Sequence, residues 1–115
     1  MTRHTLLFLV TVLLAGRAAA QTQSEMNAQV CEAYAESDDD LNRVYRRVTA
    51  RLRDEPRRAS ALRVAQRTWV RYRDQHVMSL CPDPSECGSI WPMVRCLALQ
   101  HVTEQRTATL DLVLS

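Results

Sequence analysis

Four prolines and two glycines punctuate 115 residues, and their positions leave long stretches without a break. Gly16 is the last breaker before Pro56, and none falls between Pro56 and Pro82. Proline ends a helix or begins one, because its ring fixes φ and removes the N–H donor. Within the long stretches apolar residues recur at three and four positions, and β-branched alternation is missing. The spacing therefore predicts an all-α chain. Met26, Val30, Tyr34, Leu41, Val44, Tyr45, Val48 and Leu52 predict a first helix from about Ser24 to Arg53. Pro56 opens a second, running to about Val77. The tight turn at Asp54–Pro56 makes these two an antiparallel hairpin. A loop with two prolines follows, Cys81-Pro82-Asp83-Pro84-Ser85-Glu86-Cys87-Gly88. Ser89 can cap a third helix, with Pro92 in its first turn and Cys96, Leu99, Thr103, Thr107, Leu110 and Leu114 on its inner face. The expected architecture is a helical hairpin plus a third helix, a small bundle stapled by disulfides.

The start of the chain has the form of a targeting segment. Leu6 to Leu14 is a short apolar run behind Arg3 and His4, too short to span a bilayer. Ala18-Ala19-Ala20 supplies the small residues that a signal peptidase accepts, so residues 1–20 are expected to be removed. Residues 21–115 then form one domain with no membrane span. Arg17 stands where a lipoprotein signal would need its cysteine, so no lipid anchor is expected, and the product would be periplasmic or secreted. All four cysteines, Cys31, Cys81, Cys87 and Cys96, remain after cleavage. An even number in a small exported domain argues for two disulfides. Zinc is the rival, but there is no Cys-x-x-Cys and His76 and His101 sit at no usual ligand spacing. No metal or other cofactor is expected.

Lysine is absent, and without the signal segment 13 arginines face 13 acids. The charges are segregated. Glu25 to Asp40 carries six acids and no base, whereas Leu41 to Arg73 carries eleven arginines and two acids. Such a basic block could attract a polyanion, a nucleic acid or an anionic glycan. No exposed aromatics interleave with it, which argues against nucleic acid and for a solvated helix face.

Residues 65–74, Ala-Gln-Arg-Thr-Trp-Val-Arg-Tyr-Arg-Asp, concentrate the information. On a helix Ala65, Trp69 and Tyr72 fall on one side with Leu62 and His76, and Arg63, Arg67 and Arg71 on another. Gln66 and Arg73 point toward the apolar side, where an unpaired charge is costly. Counting outward from the hairpin turn puts Asp38 level with Arg73, and Tyr45 level with Gln66. An Asp38–Arg73 ion pair at the hairpin seam is therefore expected. The same count sets Cys31 level with residue 80, so Cys31 could join Cys81, Cys87 or Cys96.

No catalytic constellation is present. The carboxylates show no acid–base pair. The serines have no triad context. His76 reads as a structural core residue and His101 as a solvent residue. A non-enzymatic, binding function is expected.

Glu25-Met26-Asn27, Cys31, Tyr34 and Asp38-x-x-Leu41-Asn42-x-x-Tyr45 stand in order along the chain. Leu62-x-x-Ala65-Gln66-x-x-Trp69-x-x-Tyr72-Arg73-Asp74 follows, then Gly88-Ser89-Ile90-x-Pro92-Met93, Cys96-Leu97 and Thr103-x-x-Arg106-Thr107-x-x-Leu110. This order resembles the N-terminal domain of the LprI-type lysozyme-inhibitor family over roughly residues 25–113. The Gln-x-x-Trp-x-x-Tyr-Arg-Asp block is its most specific part. The resemblance implies a small exported helical domain with disulfides, no catalytic residues, and a lysozyme or another exported protein as partner. Two features depart from the pattern. Members usually carry a cysteine where this chain has Val77, and Cys87 is additional, so the family's disulfide pattern does not carry over. The family's namesake is also lipid-anchored.

Inhibition would be a binding function, and two surfaces offer themselves. A Cys81–Cys87 bridge would clip a rigid loop of Pro82, Asp83, Pro84 and Glu86 able to enter a cleft with little loss of entropy. The plainer reading makes the segment an interhelix connection whose cysteines staple the helices. The acidic first helix, with Glu32, Glu36, Asp39 and Asp40 outward, could steer encounter with a basic lysozyme. Here the plainer reading is a helix carrying acids near its N-terminal end. An envelope module for anionic glycan or another exported protein is the alternative function.

Overall fold

The computed structural model describes the backbone from Thr2 and the side chains from Thr22 to Ser115. The side chains of the expected signal segment, residues 1–20, lie outside the described residues. Three helices build the molecule: α1 (Thr2–Arg51), α2 (Pro56–Leu80) and α3 (Trp91–Leu114), with a 3-10 turn at Pro84–Glu86. Among the described residues no helix is long and apolar enough to cross a membrane.

The helix ends follow the breakers. α1 continues back past Ser24, since no proline interrupts it there. Its last turn closes through Leu52 and Glu55, whose N–H groups donate to Val48 and Leu52. Pro56 then occupies the first position of α2, where its missing donor costs nothing. α2 runs three residues beyond the expected Val77. Its stop is Cys81, which precedes Pro82 and is therefore pushed to extended geometry, φ −153°. α3 begins one residue later than expected. Ile90, not Ser89, stands at its N-cap and makes no side-chain cap; Trp91 N–H donates to Gly88 O instead. Gly88 adopts φ +75°, a left-handed conformation natural to glycine.

The tightest helix pair is not the hairpin. α1 lies along α3, and the two run parallel. Asn27 Nδ2 donates to Ser89 O, Cys31 is bonded to Cys96, Ser37 Oγ donates to Glu104, and Val48 and Leu52 share a core with Leu110. Partner numbers rise along both helices. The stripe Leu41, Val48 and Leu52 follows helical periodicity and is sealed: Val48 is 0% exposed. Burying side chains of this size stabilises by roughly 1.5–3 kcal/mol each. On α3 the buried residues are Trp91, Cys96, Leu99, Val102, Thr103 and Leu110, with Thr107 and Leu114 half-buried, as the periodicity predicts.

α2 approaches α1 far less closely than α3 does. None of its residues is fully buried. It leans on the core through Ala59, Leu62 and Trp69. Its inward face is centred on Gln66 and Arg73, and this turns two expected core residues outward: Ala65 is exposed, and Tyr72 is 54% exposed and stacks on His76, 5.9 Å between rings. The seam is rotated because α3 supplies a partner that the hairpin alone does not have. Arg106 Nε on α3 donates to Gln66 Oε1 at 2.9 Å.

The expected Asp38–Arg73 ion pair does not form. Arg73 bonds its neighbour Asp74 at 3.0 Å, and its guanidinium lies over Trp69, 5.6 Å from the ring centroid. A carboxylate one residue away on the same helix outcompetes one on a helix held at a distance. Arg73 stays 22% exposed and covers Trp69, whereas Arg67 is a solvent residue. Arg73→Ala should therefore cost about 1–2 kcal/mol, through lost cation–π contact and packing. Arg67→Ala should be nearly neutral. Equal melting temperatures for the two variants would contradict this account.

Of the three possible pairings, the structure has Cys31–Cys96 and Cys81–Cys87. The first spans 65 residues and ties α1 to α3; the second spans 6 and closes a local loop. In the chain-entropy account the long closure stabilises by about 4 kcal/mol and the short one by about 2 kcal/mol. Denaturant titrations of Cys31→Ser/Cys96→Ser and Cys81→Ser/Cys87→Ser should show the larger loss for the first pair.

Candidate functional site

The loop between α2 and α3 is held at three levels. Cys81, only 4% exposed, anchors its start in the bundle, and the Cys81–Cys87 bridge closes it. Asp83 organises the interior of the loop. Its carboxylate accepts from Ser85 N at 3.1 Å and Ser85 Oγ at 2.7 Å, and caps the turn Pro84–Glu86. These hydrogen bonds, the side-chain one foremost, hold the Asp83 carboxyl below the usual carboxylate range, so it stays charged. Pro82 and Pro84 remove two further backbone freedoms. Asn27 on α1 donates to Ser89 O and secures the exit.

Pro82, Asp83, Pro84, Ser85 and Glu86 are all exposed. The loop is thus fixed in shape, acidic at its surface, and presented to solvent. Behind it opens a groove of about 470 Å³, walled by Val77, Met78, Pro82, Pro84, Trp91 and Leu99, with Asp74 and Arg95 at its edge. The walls are apolar and the edge carries both signs of charge. Trp91 and Arg95 did not stand out in the sequence. The available signal was an aromatic placed directly after a Gly-Ser-Ile turn, where a new helix begins.

A polar cluster continues from the groove toward α1. Tyr34 is half-buried there. Burial raises its pKa, Asp38 adds to the effect, and Arg73 and Arg95 oppose it. Asp38 and Arg73 thus both act on Tyr34, and no ion pair joins them to each other. The other acids considered as a binding surface are elsewhere. Asp39 and Asp40 are exposed about two helical turns along α1 from the Cys31 bridge, and Asp40 pairs with Arg43. None of the α1 acids lines the groove behind the loop.

The remaining motif residues divide between scaffold and surface. Tyr45, Gln66 and Arg106 bring together one residue from each helix: Gln66 accepts from Arg106, and Tyr45 lines the same crevice as Gln66. Burial lowers the pKa of Arg106, and the nearby Tyr45 opposes this. Trp69 packs on the core. Thr103 is wholly buried in the α1–α3 seam. Its carbonyl accepts from Thr107 Oγ1. Asn42 and Tyr72 face solvent, as does Asp74 beside Arg73. His101 is exposed, as expected, whereas His76 is half-buried and stacks on exposed Tyr72 instead of joining the core.

Comparison with known proteins gives the arrangement its context. The chain is 31% identical over 100 residues to an uncharacterised protein of Rhizobium meliloti (strain 1021), an alignment covering 76% of this chain and 71% of the relative. No solved structure matches it. The family model described as lysozyme inhibitor LprI matches residues 15–110, which include both disulfides, the loop, all of α2 and most of α1 and α3. With that match over nearly its whole length, the chain belongs to the LprI lysozyme inhibitor family.

Proposed function

We propose that this protein is an exported inhibitor that binds a lysozyme through the clipped loop at residues 81–87, after removal of residues 1–20. Family membership supports the inhibitory class, a family of inhibitors and not of enzymes. The two disulfides suit an oxidising compartment outside the cytoplasm. The observation that carries the reading is the Cys81–Cys87 bridge. It converts an interhelix connection into a rigid, exposed projection whose shape is set before any partner arrives. Preorganisation of this kind raises affinity by removing the ordering cost of binding.

The chemistry of the loop fits a basic target. Asp83 and Glu86 are exposed carboxylates, and the Ser85 hydrogen bonds fix the orientation of Asp83. Charges at a rim chiefly speed encounter and select partners. The apolar groove behind the loop, with Trp91 on its wall, offers desolvated contact area beside that rim. Asp39 and Asp40, separate from the loop, contribute at most to long-range steering.

The purified, oxidised protein should slow lysis of a bacterial suspension at near-stoichiometric ratio to at least one lysozyme class. Asp83→Asn/Glu86→Gln should weaken that inhibition about tenfold, mainly through slower association at low salt. Asp83→Asn keeps an acceptor for Ser85, so the loop stays formed. Undiminished lysis across several lysozyme classes would overturn the proposal.

A further inference from the structure

The arginine face of α2 reads as a solvated stripe in the sequence, but the fold divides it. Arg63 and Arg67 line a crevice of about 490 Å³ with Tyr45, Gln66 and Val70, and exposed Arg71 does not. The crevice exists because α2 stands off from α1. No carboxylate lines it. Among the described residues the ion pairs are Arg43–Asp40, Arg58–Glu55 and Arg73–Asp74, so Arg63 and Arg67 have no acidic partner. They also stand four apart on one helix, where like charges repel.

The floor of the crevice adds to this. Gln66 Oε1 is occupied by Arg106 Nε, which leaves the Gln66 amide N–H groups as donors. Arg106 is itself half-buried and meets a neutral amide instead of a carboxylate. The polar side chains around the opening are thus two guanidinium groups, an amide whose acceptor is used, and the Tyr45 hydroxyl. The site is rich in donors and poor in acceptors, and guanidinium forks match the oxygen pairs of carboxylate and phosphate.

We propose that this α1–α2 crevice binds a compact oxyanion, a carboxylate or a phosphate, with Arg63 and Arg67 as its charged clamp and Gln66 and Tyr45 as neutral donors. The anion neutralises the repelling arginine pair and takes up the donors that the protein leaves open. Val70 gives the crevice one apolar wall, on which the body of a small ligand rests.

The test is titration calorimetry of the oxidised protein at low salt with inorganic phosphate, D-glucuronate and, as a neutral control, D-glucose. Saturable one-to-one binding is expected for phosphate or glucuronate, and which of them binds distinguishes the two sources of oxyanion. Arg63→Gln/Arg67→Gln should weaken it about tenfold or more while helical content by circular dichroism is unchanged. Arg71→Gln should bind like the parent. The proposal is overturned if neither anion binds saturably, if glucose binds equally well, or if Arg71→Gln loses as much affinity as the double variant.

Discussion

Cys31 and Cys96 hold α1 and α3 side by side, and the buried core of the molecule is arranged along that seam. The bridge lies toward one end, near the loop, and the sealed stripe of Leu41, Val48, Leu52 and Leu110 fills the other. Between them Ser37 reaches Glu104. A chain of this size has little apolar surface to bury, and a covalent tie between its two best-packed helices offsets part of the missing core. The parallel direction of the pair is itself a consequence of α2, which carries the chain back so that α3 can start beside the same end of α1.

α2 has a different character. It is attached by a line of half-buried side chains, and polar groups hold its centre: Gln66 to Arg106 on α3, and Arg73 over Trp69 on α2 itself. Standing off from α1, it leaves one crevice along its length, and its C-terminal end joins the loop and the start of α3 in walling the groove. Both candidate binding surfaces therefore include α2. The tight seam supplies rigidity, and the loose helix supplies concave surface, which is where ligands and partner side chains fit.

The sequence makes some of this legible and conceals the rest for identifiable reasons. Prolines and periodicity locate three helices, because those signals are local. The core residues of α1 and α3 also follow, since each helix has one apolar stripe. The face of α2 does not. Its apolar side, with Ala65 and Tyr72, differs from its packed side, because the choice was made by Arg106, a residue 40 positions away from Gln66. The Asp38–Arg73 pairing fails for a related reason. A register counted along two helices fixes level but not distance, and Asp74 was already within reach of Arg73. Which cysteines pair also depends on three-dimensional separation, so the loop's clip became visible only in the fold. Trp91 and Arg95 escaped notice because a groove wall is defined by what faces it.

The two bridges differ tenfold in the length of chain they close, 6 residues against 65. Closing a loop becomes steadily less probable as it lengthens. In a reduced chain meeting an oxidant, Cys81 and Cys87 therefore encounter each other far more often than Cys31 meets any partner. Once that small ring has formed, Cys31 and Cys96 have only each other. Four cysteines allow three connectivities, and the order of oxidation selects one of them, which trapping the thiols of the oxidising chain would display. A short bridge formed first would leave Cys31 and Cys96 as each other's only free-thiol partners, so the clip that shapes the exposed loop would also favour the native seam.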